Sequence, residues 1–203
     1  MNRRKNEEAA AGESRRAELA NAAFLLIAEK GFEGLRVREV AAKAGVNIAT
    51  LHYYFPTKEA LVRAVSGQAQ QLFADSHSAR EEGGELSTVE QLQREALNLA
   101  RQLRERPELC VVMTELTARA SRDAGVQEVL ARMDRGWRSH LAAVVMRGHR
   151  DGTIRKDLDP YRAASFLAAL IKGMNYQYLS GLDRPDFAGV SEEIARWAAA
   201  LSG

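Results

Sequence analysis

Residues 35–61, LRVREVAAKAGVNIATLHYYFPTKEAL, admit few backbone solutions. Val37, Val40, Ala41 and Ala44 recur at helical spacing, so a short helix over residues 37–44 buries one narrow apolar stripe. Gly45 ends it, because glycine takes the left-handed conformation that closes a helix without steric cost. Val46 turns back to the core, and the Asn47 side chain is placed to cap a second helix over residues 47–55. That helix is too short to persist alone, so Leu51 and Phe55 must hold it against its neighbours, which leaves its other face free. Pro56 stops it, Thr57 is a capping hydroxyl for a third helix, and Lys58 lies in that helix's first turn. A cation there opposes the helix dipole unless an anion sits between them. A helix, a glycine turn and a short second helix make a helix-turn-helix, whose second helix enters the DNA major groove.

The remainder carries helical periodicity and no strand alternation, which predicts an all-α fold. Residues 15–30 form a helix with Leu19, Ala23, Leu26 and Ile27 on one face, broadened by Phe24 and Leu25 and closed by Gly31. A long helix over residues 57–80 carries Leu61, Val65, Leu72 and Phe73; residues 81–87, EEGGELS, are the clearest loop. Further helices follow Leu92, Leu99 and Leu103, then Pro107 ahead of Leu109, Val112, Met113 and Leu116, then Val126, Leu130, Met133, Trp137, Leu141 and Val144. Asp151-Gly152 is a turn, and Asp159-Pro160 caps a helix over residues 160–180. Residues 189–201 form the last helix. The expected organisation is a flexible basic arm (1–14), a helix-turn-helix domain (15–62) and a C-terminal helical domain (63–203).

Charge supports the same division through its placement. Residues 1–63 hold 11 Lys/Arg against 8 Asp/Glu, while the remaining residues hold 18 against 19. Arg3, Arg4 and Lys5 mark the arm, and Arg36, Arg38, Lys43 and Lys58 gather around the helix-turn-helix. No apolar run approaches the ~20 residues of a membrane span. The polar first residues lack the apolar core of a secretory signal, and the single cysteine, Cys110, fits a reducing compartment, so a cytoplasmic protein is expected.

In order and spacing, several segments resemble the TetR-type transcriptional regulators. They are Glu29-Lys30-Gly31-Phe32, Val37-Arg38-Glu39-Val40-Ala41, Ala44-Gly45-Val46 and the run from Leu51 through His52, Tyr53, Tyr54, Phe55, Pro56, Thr57 and Lys58 to Leu61. The likeness covers roughly the first third of the chain. It implies a recognition surface of Asn47, Ile48, Ala49, Thr50, Tyr53 and Tyr54. Their chemistry agrees: Ile48 and Ala49 suit thymine methyls, Asn47 and Thr50 suit base edges or phosphates, and tyrosine hydroxyls suit phosphate oxygens. Arg38 is the candidate for a bidentate guanine contact, and Lys58 with the helix start behind it would clamp a phosphate. His52 stands where many such regulators carry Tyr, and either bonds phosphate or fills space. Arg36 replaces a capping hydroxyl and adds a cation beside the DNA backbone. Tyr53 and Tyr54 also read as ordinary half-buried aromatics, and Arg36 and Arg38 as solvated helix charges.

Ala163, Ala164, Ala168, Ala169 and Gly173 permit close helix approach, so a second surface on the last two helices is expected to be buried. The resemblance implies a homodimer through the helices near 160–180 and 189–202, which would present two recognition helices to the half-sites of a double-stranded operator; a broader monomer core is the alternative. It also implies a small-molecule effector pocket among the middle helices. Candidates for its lining are Met113, Met133, Trp137, His140, Phe166, Asn175 and Tyr178, with Cys110 and Tyr176 as further possibilities. The functional expectation is a repressor released from DNA by a small apolar or amphipathic effector. The alternatives are an activator, a regulator without such an effector, or a helical interaction module. No catalytic residue, cofactor or metal is expected: His52, His77, His140 and His149 lack ligand spacing with one another or with Cys110, and no phosphate-binding glycine loop follows a strand. Cys110 has no basic neighbour in sequence and reads as a small buried hydrophobe.

Overall fold

The computed structural model describes residues 2–78 and 86–199. These form nine α-helices: α1 (Asn2–Lys30), α2 (Val37–Lys43), α3 (Ile48–Tyr54), α4 (Lys58–Ser78), α5 (Thr88–Glu105), α6 (Pro107–Ala120), α7 (Ala124–Asp151), α8 (Pro160–Ser180) and α9 (Phe187–Ala198). Among the described residues the one β-type pairing is an isolated bridge between Ile154 and Ala199. The all-α expectation therefore holds, with corrections at the edges. The basic segment expected as a flexible arm belongs to α1, which starts at Asn2. Residues 2–14 contain no proline and are rich in strong helix formers, and their single glycine, Gly12, is tolerated. Most of the expected loop, residues 81–85, lies outside the described residues, as does Leu201. Its end is visible: Ser87 caps α5 in a capping box, accepting from Glu90 N while the Glu90 carboxylate accepts from Ser87 N.

The chain falls into two compact units, Met1–His77 with Val111–Leu130, and Ser78–Cys110 with Ala131–Gly203. α4 and the greater part of α6 belong with the N-terminal helices in the first of these units. In this first unit α1 buries Leu19, Ala20, Ala23, Phe24 and Ile27, a helical stripe, and α2 packs on both α1 and α3. Gly31 closes α1 with φ 66° and its N–H donates to Ile27 O. α6 returns to this turn. Glu115 accepts from Phe32 N at 3.1 Å, and the Arg119 guanidinium lies 5.6 Å from the Phe32 ring centroid.

The second unit is built on α5, which packs chiefly on α9 and also on α8. Its core joins Leu92, Ala96, Leu99 and Leu103 of α5 to Leu141, Val144 and Val145 of α7, Ala164, Leu167 and Ile171 of α8 and Ile194 of α9. Asp159 caps α8 as expected, accepting from Tyr161 N and Arg162 N. The last helix starts slightly earlier than expected because Asp186 supplies its cap.

Candidate nucleic-acid interface

α3 has one buried side and one open side. Leu51 is 1% exposed and Phe55, which caps its C-terminus, is fully buried. Ala49 and His52 are exposed, Ile48 is 40% exposed and Tyr53 80%. Tyr54 is half-buried, with its ring edge-on to Tyr53 at 5.1 Å. Of the two tyrosines, Tyr54 is the half-buried aromatic and Tyr53 is not. Asn47 caps the helix: its Oδ1 accepts from Thr50 N at 2.7 Å and from the Thr50 hydroxyl at 3.0 Å. The Asn47 amide NH2 and the acceptor lone pairs of the Thr50 hydroxyl remain for other contacts.

Cations also lie at the starts of α2 and α4. Arg36 and Arg38 are exposed at the start of α2, and Arg36 occupies its N-cap position without a side-chain cap bond. Lys58 is half-buried in the first turn of α4, whose cap is the Thr57 hydroxyl accepting from Ala60 N at 3.1 Å. Lys43, one of the cations grouped around the helix-turn-helix, is paired with Glu29 at 2.6 Å. Lys30 pairs with Glu39 and holds its carboxyl below the usual range. α1 and α2 are therefore tied by two ion pairs of opposite polarity. Sequence reasoning missed Arg16: its Nη1 donates to Tyr54 O at 2.9 Å, and its guanidinium carbon lies 4.4 Å from the Phe55 ring centroid. No local pattern marks this contact, since its partners are 38 residues apart.

Comparison with known proteins adds a decisive observation. The family pattern described as "Bacterial regulatory proteins, tetR family" matches residues 19–65, and that of the "BetI-type transcriptional repressor, C-terminal" matches residues 88–203, over half of the chain. The chain belongs to the TetR family. The transcriptional repressor KstR of Rhodococcus jostii is 31% identical over 128 residues, covering 62% of this chain and 58% of that protein. The curated relatives are matched over 31–58% of their own length. Among solved structures, a putative TetR-family regulator from Rhodococcus sp. superposes with a TM-score of 0.79 at 27% identity, covering 91% of this chain and 98% of that one. The multidrug binding protein EbrR, solved with ethidium, gives 0.70 at 26% identity, over 92% and 99%.

The effector-pocket residues expected for a TetR-family protein differ in burial. Met113 is half-buried in the first unit, whereas the other six lie in the second. Met133, Trp137, Asn175 and Tyr178 are half-buried there, but His140 and Phe166 are exposed. Each of those two sits one residue from a buried neighbour, Leu141 or Leu167, and one helical step of rotation carries it out of the core. Phe166 stacks on Trp197 at 5.0 Å, and Tyr178 lies 6.3 Å from Phe187. Three polar residues of α5 are buried, Thr88, Glu95 and Asn98. Glu95 is 7% exposed and accepts from Trp137 Nε1 at 3.1 Å; Asn98 is 5% exposed and accepts from Arg101 at 3.1 Å. Burial pushes the Cys110 thiol up to about 12, which leaves almost no thiolate at neutral pH and argues against a redox role. Among the described residues no group of His, Cys, Asp and Glu could hold a metal ion, and no helix is long and apolar enough to cross a membrane.

Proposed function

We propose that this chain is a cytoplasmic, ligand-responsive repressor that binds a pseudo-palindromic operator as a homodimer and leaves it when a small apolar or amphipathic effector binds. The observation that carries the reading is the α3 surface. A seven-residue helix, held from behind by Leu51 and Phe55, leaves Ile48, Ala49, His52 and Tyr53 open, and α2, which packs on it, starts with the exposed Arg36 and Arg38. Apolar and hydroxyl groups suit base edges and phosphates, and the flanking cations suit the backbone.

Dimerisation is supported by α8, whose exposed side carries Tyr161, Phe166 and Tyr176 among the small residues Ser165, Ala169 and Gly173. Large apolar side chains interleaved with small ones favour close packing by another helix pair, and a two-fold axis would set two copies of α3 at half-sites one DNA turn apart. The effector part rests on the half-buried Met133, Trp137, Asn175 and Tyr178, a mostly apolar set with a few polar groups, and on ethidium in the EbrR structure. The effector must favour one conformation over the other; a coupling of about 1–3 kcal/mol is typical. α4 starts beside the DNA face at Lys58 and is the natural lever.

The test is to enrich duplexes from a randomised pool, then measure binding of the selected sequence across salt concentrations. Lys58→Ala should weaken all sequences alike and reduce the salt slope by about 0.9, the contribution of one phosphate. Ile48→Glu should remove the sequence preference. A wild-type protein that enriches nothing, or two variants that bind as wild type does, would show that α3 and α4 are not the DNA face.

A further inference from the structure

The recognition helix cannot stand without help from its neighbours. Seven residues make about two turns, below the length at which a helix holds itself in water. Its N-terminus is secured by its own Asn47 cap, and its inner side by Leu51 and Phe55. Its C-terminus ends without a glycine cap, because Phe55 follows in a non-helical conformation, φ −134° and ψ 87°. The last carbonyls of a helix have no intrahelical partner, and the negative end of the dipole lies there.

Arg16 supplies what that end lacks. It stands on α1 one turn before Leu19 and Ala20, on the edge of the face that α1 buries. From there its guanidinium donates to the carbonyl of Tyr54, the last residue of α3, and lies over the ring of Phe55. One planar cation thus complements the helix dipole, bonds an orphan carbonyl and stacks on the buried aromatic that anchors the helix. Lysine could supply the charge and one donor, but not the stacked plane. The bonded carbonyl is next in chain to Tyr53, which is 80% exposed on the proposed DNA face.

We infer that Arg16 is a positioning residue for DNA reading: it fixes the last turn of α3, and with it Tyr53 and His52, in the attitude that discriminates one sequence from another. The inference rests on the reading of α3 as the DNA-contacting helix. Positioning and phosphate contact by the same arginine have different signatures. A positioning residue governs the ratio of specific to non-specific affinity and leaves the salt slope alone. A phosphate contact weakens every sequence equally and reduces that slope by about 0.9.

The experiment uses the full chain and the duplex that wild type selects from a randomised pool, with a scrambled duplex as the non-specific probe. Melting curves first establish that Arg16→Ala and Arg16→Lys are folded at the assay temperature. Arg16→Ala should lower the specific-to-non-specific ratio about tenfold, equivalent to ~1.4 kcal/mol, with the salt slope unchanged. Arg16→Lys should recover part of the loss, about a threefold reduction remaining, because charge and one donor persist. An unchanged ratio in Arg16→Ala overturns the inference, as does a uniform loss with a shallower slope. If Arg16→Ala does not fold, Arg16→Lys decides the question by the same two readouts. Failure of wild type to select any sequence would instead strike the DNA-binding reading itself.

Discussion

Glycine-to-alanine replacement should have opposite effects at Gly45 and Gly67, and the backbone alone sets the sign. Gly45 joins α2 to α3 with φ 66°, while Gly67 lies within α4. At both sites an added Cβ meets nothing within 4 Å, so neither change introduces a clash. At Gly45 the new residue must adopt the left-handed conformation, which costs an L-residue roughly 1–2 kcal/mol. At Gly67 alanine removes conformational freedom from the unfolded chain and favours the helix, a gain of about 0.5–1 kcal/mol. The two variants should therefore differ by roughly 1.5–3 kcal/mol, with the parent between them. Urea unfolding followed by far-ultraviolet circular dichroism would read this as midpoints displaced in opposite directions. Protein concentration must be held constant, since self-association shifts such midpoints. Gly45→Asn should fall between Gly45→Ala and the parent, because asparagine tolerates the left-handed region. A Gly45→Ala protein as stable as the parent, or a Gly67→Ala protein less stable, would refute the argument from φ.

Three other outcomes are expected. Cys110 should resist iodoacetamide at neutral pH in the native protein and react once urea exposes it, because a thiol pushed up to about 12 supplies almost no thiolate; rapid native labelling would contradict its burial. The Glu39 carboxyl is depressed by its bond to Lys30, so the stabilisation it carries is present above the ordinary carboxylate value of 4.5 and is lost as pH falls through the lower folded value; Lys30→Met should raise its titration midpoint in an NMR series toward 4.5. Phe166→Glu places a charge on the exposed side of α8 and should shift the protein toward monomer in analytical ultracentrifugation, while a dimer of undiminished strength would place the interface elsewhere.

What could be read from the sequence was encoded over a few neighbouring residues. The break at Gly45, the Asn47 cap, the stop at Pro56 and the Asp159-Pro160 start of α8 each depend on contacts within about one helical turn. Periodicity also identified Leu51 and Phe55 as the buried side of α3. Other features depend on distant partners or on small rotations. Arg16 meets Tyr54 only after α1 and α3 have packed, and Lys43 looks like a free cation until Glu29 is brought beside it. Nothing local marks Glu95 as buried, because its partner, the Trp137 indole, comes from another helix. Phe166 illustrates the angular limit: an apolar residue beside a buried stripe fits the pattern almost as well as one within it, although 100° of rotation separates core from surface. The start of α1 was missed for a different reason. Its polarity suggests flexibility, whereas alanine, arginine and glutamate are among the better helix formers.

The crossed pairing between α1 and α2 has a practical consequence for protein engineering. Adjacent residues Glu29 and Lys30 reach Lys43 and Glu39 respectively, so the two helices carry a matched code written in charge order. Exposed pairs of this kind contribute little energy, about 0–1 kcal/mol each, but a wrong combination sets like charges face to face. A hybrid regulator that borrows its first helix from one parent and its second from another would inherit half of that code. Donor fragments should be chosen so that the junction falls outside residues 29–43.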